Sequence, residues 1–316
     1  MTRELEAAHI ELAVYHWNGW DGYLAAHLFS DCVTITAKFT DSPGDVLQRL
    51  PNDCKCLLFH LDCSRTVRFP KARAELICAL RDRGIRLVNE QVQDITKPFI
   101  QGLCQHLGLP TTALAATLPP TTQVIVKTIL NHGGEPEGNF SAAQRAYLGL
   151  PPTSRVVGSA KDYKVLALGE VPKSWFSDPA LQIERFISNR QNRWFRAYVW
   201  LDRLCLTEAF NPHPIKKMLS NTARLDSNFL LQEGRYVSAD GARGVDETLL
   251  STLAAVVAGM NLEFGTIDAV CSDDPAYYVV DVNTTPFWNV RHLPTIAYLQ
   301  GGLASTPPAG NSAATS

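Results

Sequence analysis

Residues 265–271 read GTIDAVC and residues 277–283 read YYVVDVN. Each stretch has strand length, and the turn formers Ser272-Asp273-Asp274-Pro275 lie between them, so the pair predicts a β-hairpin. Asp and Asn are poor strand formers, yet Asp281 and Asn283 interrupt an otherwise apolar run. Strand side chains alternate between faces, so positions i and i+2 leave the sheet together, and Asp268 on the partner strand can join them. Three oxygen ligands suit a hard cation such as magnesium and leave room for the phosphates of a nucleotide. The plainer alternative is a set of turn-proximal polar groups that cap loops or face solvent.

Outward from the hairpin, Glu247 to Met260 has the pattern of an amphipathic helix, while Arg196 to Leu201 and Leu204 to Phe210 read as strands. Leu181 to Ile187 is strand-like too, and an antiparallel sheet built from these runs and the hairpin is expected. The first third differs. Strand-length apolar runs at Ile10 to Trp17, Val33 to Phe39, Cys56 to Leu61 and Ile85 to Asn89 alternate with helical patterns, best in Lys71 to Arg83, which Gly84 closes. Such alternation predicts βαβ units and a small parallel sheet. A helix begins near Asp94, whose carboxylate is placed to cap it, and QVIVKT at 123–128 is a buried strand. Mixed signals over Ser141 to Tyr163 suggest a mobile lid or irregular loop, and residues after Gly302 lack apolar periodicity and read as a disordered tail.

The bulk numbers narrow the class. A chain of 316 residues with 46% hydrophobic and 19% charged residues is globular and large enough for two or three cores. A net charge of -2 argues against phosphate-driven nucleic acid binding. With no long apolar run and no apolar leader, a cytoplasmic protein without a membrane partner is the expectation. Eight cysteines without a CxxC pair read as reduced core thiols.

Other residues break local rules in an informative way. Lys127 ends the apolar strand QVIVKT and needs an acidic partner or an anion, unless it reaches the surface along its stem. Gly133 and Gly134 offer backbone N–H groups that can approach phosphate oxygens. Lys97 opens a helix and alone reads as surface charge. Glu184, Arg185, Phe186 and Ile187 end a strand, where backbone groups can meet an adenine edge or lead into an ordinary loop. Arg196, set among large apolar side chains, calls for an anionic partner. His16, Trp17, Asn18, Trp20 and Asp21 either face a substrate or pack a lobe interface, and Lys216, Lys217, Arg224 and Arg291 are surface charges or carboxylate holders.

In this order, Lys97, VIVKT, LQIERFI, RWFRAYV, GTIDAV and VVDVNTTP resemble the ATP-grasp superfamily, whose members include D-alanine–D-alanine ligase, glutathione synthetase and the ribosomal-protein glutamate ligases. The resemblance spans roughly residues 85 to 290. It implies an α/β (α+β) architecture: a Rossmann-like lobe at 1–110, a small lid lobe at 111–182, and an antiparallel-sheet lobe with the metal site at 183–301, followed by a tail at 302–316, with ATP between the second and third lobes. It further implies that Lys97 and Lys127 hold ATP phosphates, that residues 184–187 receive adenine, that Asp268, Asp281 and Asn283 bind Mg2+ or Mn2+, and that Arg196 meets the phosphates or an acyl phosphate. The implied activity joins a small-molecule carboxylate to an amine, in a protein that can be a homodimer. Two departures stand out: Asp281 replaces the Glu of many relatives, and NHGGEPEGNF replaces the usual glycine-rich lid. A kinase with His132 as base, or a degenerate nucleotide-binding module, are the competing readings.

Overall fold

The computed structural model describes residues 12–18, 22–29, 32–215, 224–232, 235–238, 244–287 and 293–304. The first third alternates strand and helix as its sequence dictates: β1 (Leu12–Trp17), α1 (Leu24–Leu28), β2 (Val33–Thr36), α2 (Pro43–Arg49), β3 (Cys56–Leu61), α3 (Arg73–Asp82) and β4 (Arg86–Val88). The strands pair in parallel in the order β2-β1-β3-β4. Central β3 is buried along its whole length, which is why CLLFHL carries no polar alternation. α3 ends where Gly84 turns to φ +74° and the Ile85 N–H reaches back to the Leu80 carbonyl, a closure that favours glycine.

α4 (Lys97–His106) follows. Asp94 does not cap it. Thr96 occupies the N-cap, while Asp94 accepts from the Thr96 N–H at 2.8 Å and pairs with Arg65 at 2.9 Å. Next come β5 (Gln123–Thr128), α5 (Ala142–Tyr147), β6 (Lys164–Ala167) and β7 (Leu181–Arg185). These three strands form their own antiparallel sheet, ordered β6-β5-β7. The run at 181–187 therefore belongs with β5 and not with the large sheet, because the Phe186 N–H still donates to the Gln123 carbonyl at the strand's exit.

Of the segment expected to be a mobile lid or an irregular loop, the first part is docked, while residues 151–159 carry no helix or strand. Ser141 and Gln144 form a capping box on α5, and Phe140, Leu148 and Leu150 lie in the same apolar core as Tyr15, Phe59 and Leu76 of the first lobe.

The remaining chain builds β8 (Arg193–Trp200), β9 (Arg203–Phe210), β10 (Arg224–Gln232), β11 (Arg235–Ser238), α6 (Glu247–Met260), β12 (Phe264–Cys271), β13 (Tyr277–Asn283) and α7 (Leu293–Ala304). Its six-stranded sheet runs β11-β10-β9-β8-β12-β13. α6 is capped by Asp246, which accepts from the Thr248 N–H, and ends at Asn261 with φ +52°. α7 includes residues 302–304, which the sequence pattern assigns to a tail; the residues beyond lie outside the described ones. Among the described residues, no helix is long and apolar enough to cross a membrane.

The first sheet and the large sheet share a core: Val14 and Leu58 pack with Phe29, Trp200, Phe264 and Leu299. Asn89 fastens this junction. Its buried amide donates to the Phe264 carbonyl at 2.7 Å and accepts from the Phe264 and Glu263 N–H groups at 3.0 and 3.1 Å. Asn89→Ala leaves three buried backbone groups unpaired, so a loss of about 2–4 kcal/mol in chemical denaturation is expected. Asn89→Gly, which tolerates the backbone φ of +61°, should lose most of the same amount, since the clamp and not the turn is what matters.

Candidate active site

β12 and β13 define the charged wall of a cleft. Their register carries Cys271 opposite Tyr277, Val270 opposite Tyr278 and Ala269 opposite Val279, then skips one residue, so that Asp268 faces Asp281 and Thr266 faces Asn283. The extra residue is Val280, a β-bulge. Tyr277 and Val279 are buried in the core under the sheet. Strict alternation would send Asp281 after them, whereas the bulge returns it to the face of Asp268. Both acids then line the cleft, as does Val280 itself.

The cleft lies between the three-stranded sheet and the large one. Lys97, Lys127, Glu184, Arg185, Asp268 and Asp281 supply its charged lining, and side chains such as Ile125, Tyr163, Phe186, Ile187, Trp194 and Ile215 its apolar lining. Lys97 is not a surface charge. It is 2% exposed, and its ammonium donates to the Leu130 carbonyl at 2.5 Å. Lys127 finds the partner its strand position demands, since Nζ lies 2.7 Å from Oε2 of Glu184. The pairing of Ile125 with Glu184 and of Lys127 with Gln182 sets Glu184 diagonal to Lys127 on one face. Thr112 donates a further hydrogen bond to Glu184 at 2.7 Å, while Oε1 of Glu184 meets no donor among the described residues. Sequence reading assigned Glu184 only a backbone role; the signal for its side chain was the β5–β7 register, which no single strand reveals.

At the exit of β7, the Arg185 N–H donates to the Thr112 carbonyl and the Phe186 N–H to the Gln123 carbonyl. The Arg185 guanidinium lies over the Tyr278 ring and donates to its hydroxyl at 3.1 Å. Arg196 grips Asp268 with two parallel hydrogen bonds of 2.7 and 2.9 Å and lies over the Trp194 ring. An ionised carboxylate retains lone pairs beyond those that a forked arginine uses, so Asp268 can still accept a cation. Asp281 stands opposite, and the Asn283 carbonyl oxygen accepts from the Thr285 N–H at 2.9 Å. Among the described residues no cluster of three His, Cys, Asp or Glu side chains could hold a metal. The donor set is two carboxylates and an amide oxygen, which suits a hard cation with few protein ligands.

Gly133 and Gly134 are not brought to this cleft. Their φ angles of +73° and +82° serve a tight turn. The Asn131 N–H donates to Ser64 Oγ, Glu137 accepts from the Ser64 N–H, and the Asn131 amide donates to the Val282 carbonyl, so the loop is sewn to the first lobe and to the end of β13. Trp17 takes the packing role, stacked on Phe140 with ring centroids 4.2 Å apart, and Asn18 donates to the Pro136 carbonyl. Trp20, Asp21, Lys216, Lys217, the Arg224 side chain and Arg291 lie outside the described residues.

No protein-family model matches the chain, and no curated protein matches it in sequence. Solved structures do match. The ATP-grasp ligase PsnB complexed with minimal precursor aligns at a TM-score of 0.53 with 12% identity, over 92% of this chain and 99% of that one. PsnB complexed with a phosphomimetic variant of minimal precursor, Mg and ADP aligns at 0.52 with 12% identity, over 92% and 98%. The chain has the ATP-grasp fold. Within this ATP-grasp architecture the three-stranded sheet and the six-stranded sheet face each other across the cleft.

Removing one member of a buried ion pair strands the other. Glu184→Ala is therefore expected to lower stability of the nucleotide-free protein by about 3–5 kcal/mol, and Lys127→Met combined with Glu184→Leu to recover most of it, as read by chemical denaturation.

Proposed function

We propose that this protein is an ATP- and Mg2+-dependent ligase that joins a carboxylate to an amine through an acyl phosphate. One observation carries the reading: a single cleft offers a hinge with apolar walls at one part and two buried lysines with two facing carboxylates at another. That is the polarity of a nucleoside triphosphate, an aromatic base joined to a polyanion.

Strand alternation sets the hinge contacts. Since Phe186 turns its N–H toward β5, the Arg185 carbonyl and the Ile187 N–H face the opposite way and would read the adenine edge. Ile125, Tyr163, Trp194 and Ile215 would enclose the base. Lys97 and Lys127 would meet the phosphates, with Glu184 keeping Lys127 extended along the cleft. Asp268, Asp281 and Asn283 would hold Mg2+ or Mn2+, which would screen phosphate charge and act as a Lewis acid. Arg196 would orient Asp268, and its N–H groups not spent on that carboxylate would be donors to the transferring phosphoryl group. Gly133 and Gly134 have no part in this account. The lobes are proposed at 1–110, 111–182 and 183–301, and the Phe140 to Leu150 segment of the second packs in the core of the first.

The reaction runs in two displacements. A substrate carboxylate oxygen attacks the γ-phosphorus of ATP, the bond to the bridging oxygen breaks, and ADP leaves. The amine nitrogen then attacks the acyl carbon, phosphate departs with the C–O electron pair, and the nitrogen loses a proton. Walls that exclude water protect the acyl phosphate from hydrolysis. The two PsnB structures are complexed with a minimal precursor or its phosphomimetic variant, so larger precursor-like substrates belong in the screen beside amino acids, peptides and small carboxylic acids.

Release of ADP and phosphate from Mg-ATP across such a library, with products weighed by mass spectrometry, tests the reading. ADP and phosphate tied to a condensed product support it; ADP with a phosphorylated substrate replaces it with a kinase. Asp281→Ala and Asn283→Ala should each lower turnover by at least about 100-fold while leaving the circular dichroism spectrum unchanged.

A further inference from the structure

β13 ends at Asn283, and the chain passes through Thr284, Thr285 and Pro286 to meet the first lobe, where the Leu24 N–H donates to the Pro286 carbonyl at 2.8 Å. At this seam the Asn283 amide is held from both ends. Its nitrogen lies 3.1 Å from His132 Nε2, and because the amide NH2 can only donate, the imidazole nitrogen accepts. Its oxygen accepts from the Thr285 N–H at 2.9 Å and also sits 3.2 Å from the Thr285 hydroxyl. That hydroxyl has a second acceptor, Oδ1 of Asp62, at 2.9 Å.

A threonine hydroxyl has one proton. The charged carboxylate, which is the nearer acceptor and the stronger one, takes it. Asp62 is buried, 6% exposed, and its other oxygen accepts from the Tyr23 hydroxyl at 2.8 Å, so the carboxylate is fixed in place at the end of β3. The consequence falls on Asn283. With the Thr285 proton drawn to Asp62, one lone pair of the amide oxygen serves the Thr285 N–H and the other is left for a ligand. Without Asp62 the hydroxyl proton turns to the amide oxygen and occupies that lone pair.

We propose that Asp62, a residue of the first lobe, is a positioning residue for the cation site: by holding the Thr285 hydroxyl proton it keeps the Asn283 oxygen open to a divalent cation. The inference rests on the reading of Asp268, Asp281 and Asn283 as cation ligands. It ties the lobe that carries β1 to β4 to the charge state of the cleft without contact between Asp62 and the nucleotide. Orienting partners of this kind set metal affinity by about 10- to 100-fold.

The test is Mn2+ binding to the full chain in the presence of ADP, read from the loss of the free Mn2+ paramagnetic resonance signal, which requires no turnover. Asp62→Ala should weaken Mn2+ binding by at least about tenfold, and Asp62→Asn, which keeps a weaker acceptor and the buried volume, should weaken it less. Adding Thr285→Ala to Asp62→Ala removes the competing hydroxyl and should restore most of the lost affinity. A structural defect would not be repaired by a second truncation, so this recovery separates positioning from simple destabilisation. Should Asp62→Ala and Asp62→Asn bind Mn2+ as the parent does while Asn283→Ala does not, the role of Asp62 is overturned and the cation site stands. A double variant no better than Asp62→Ala overturns it equally. Unchanged Mn2+ binding in Asn283→Ala removes the ligand reading and this inference with it.

Discussion

One inserted residue in β13 determines which side of the large sheet carries its acids. Up to Val279 the strand alternates with Tyr277 and Val279 in the core, and past Val280 it alternates with Val282 in the core. The parity changes at the bulge, so the apolar face stays continuous while Asp281 emerges beside Asp268. A regular strand could not satisfy both demands. It would bury Asp281 against Ile267 and the body of α6, where an unpaired carboxylate is costly, and would turn Val282 out toward the cleft. Core and charged wall therefore share one local irregularity.

The charges on that wall and on the facing sheet are held by protein groups in advance of any ligand. Lys127 has Glu184, Asp268 has Arg196, and Lys97 has the Leu130 carbonyl. Each contact fixes a long side chain at the cost of burying charge, so that little reorganisation would remain were an anion to enter the cleft. The arrangement also explains why the lysines survive in an apolar strand and a buried helix start. Both sit where a neighbouring backbone or carboxylate oxygen already compensates desolvation.

Much of this was legible from the chain. The alternation of β1 to β4 with helices, the hairpin, and the shared face of Asp281 and Asn283 follow from periodicity, because strand and helix repeats are imposed by backbone geometry alone. What was not legible arises between segments distant in sequence. The Lys127–Glu184 pair depends on the register of two strands, and the bulge cannot be seen in YYVVDVN, whose plain alternation supports the right face for Asp281 and Asn283 only relative to each other. The glycine loop misled for the same reason: Gly133 and Gly134 permit close approach, but Ser64 and Val282, far away in the chain, decide what the loop approaches. Asp94 reads as a cap until Arg65 claims its other oxygen. Tyr23, Asp62 and Thr285 gave no signal, since a tyrosine after a glycine, an aspartate at a strand end and a threonine in a turn are ordinary residues until the lobes meet.

The distribution of cores indicates which interface can move at least cost. The first sheet and the large sheet are joined by Phe29, Trp200 and Phe264 in one buried cluster and by the Asn89 clamp. Separating them would expose three large aromatic side chains and strand buried backbone groups. The three-stranded sheet has a smaller cluster of its own around Val126, Val157, Tyr163 and Leu181, and faces the large sheet across the cleft. It is tied to the rest of the molecule through the stretch after β5, where Leu130, Phe140, Leu148 and Leu150 lie in the first lobe's core, and at the exit of β7, where the Arg185 N–H donates to the Thr112 carbonyl. Displacement of β5, β6 and β7 against a block formed by the other two sheets therefore sacrifices the least burial, and it is also the displacement that carries Lys127 toward or away from Asp268 and Asp281.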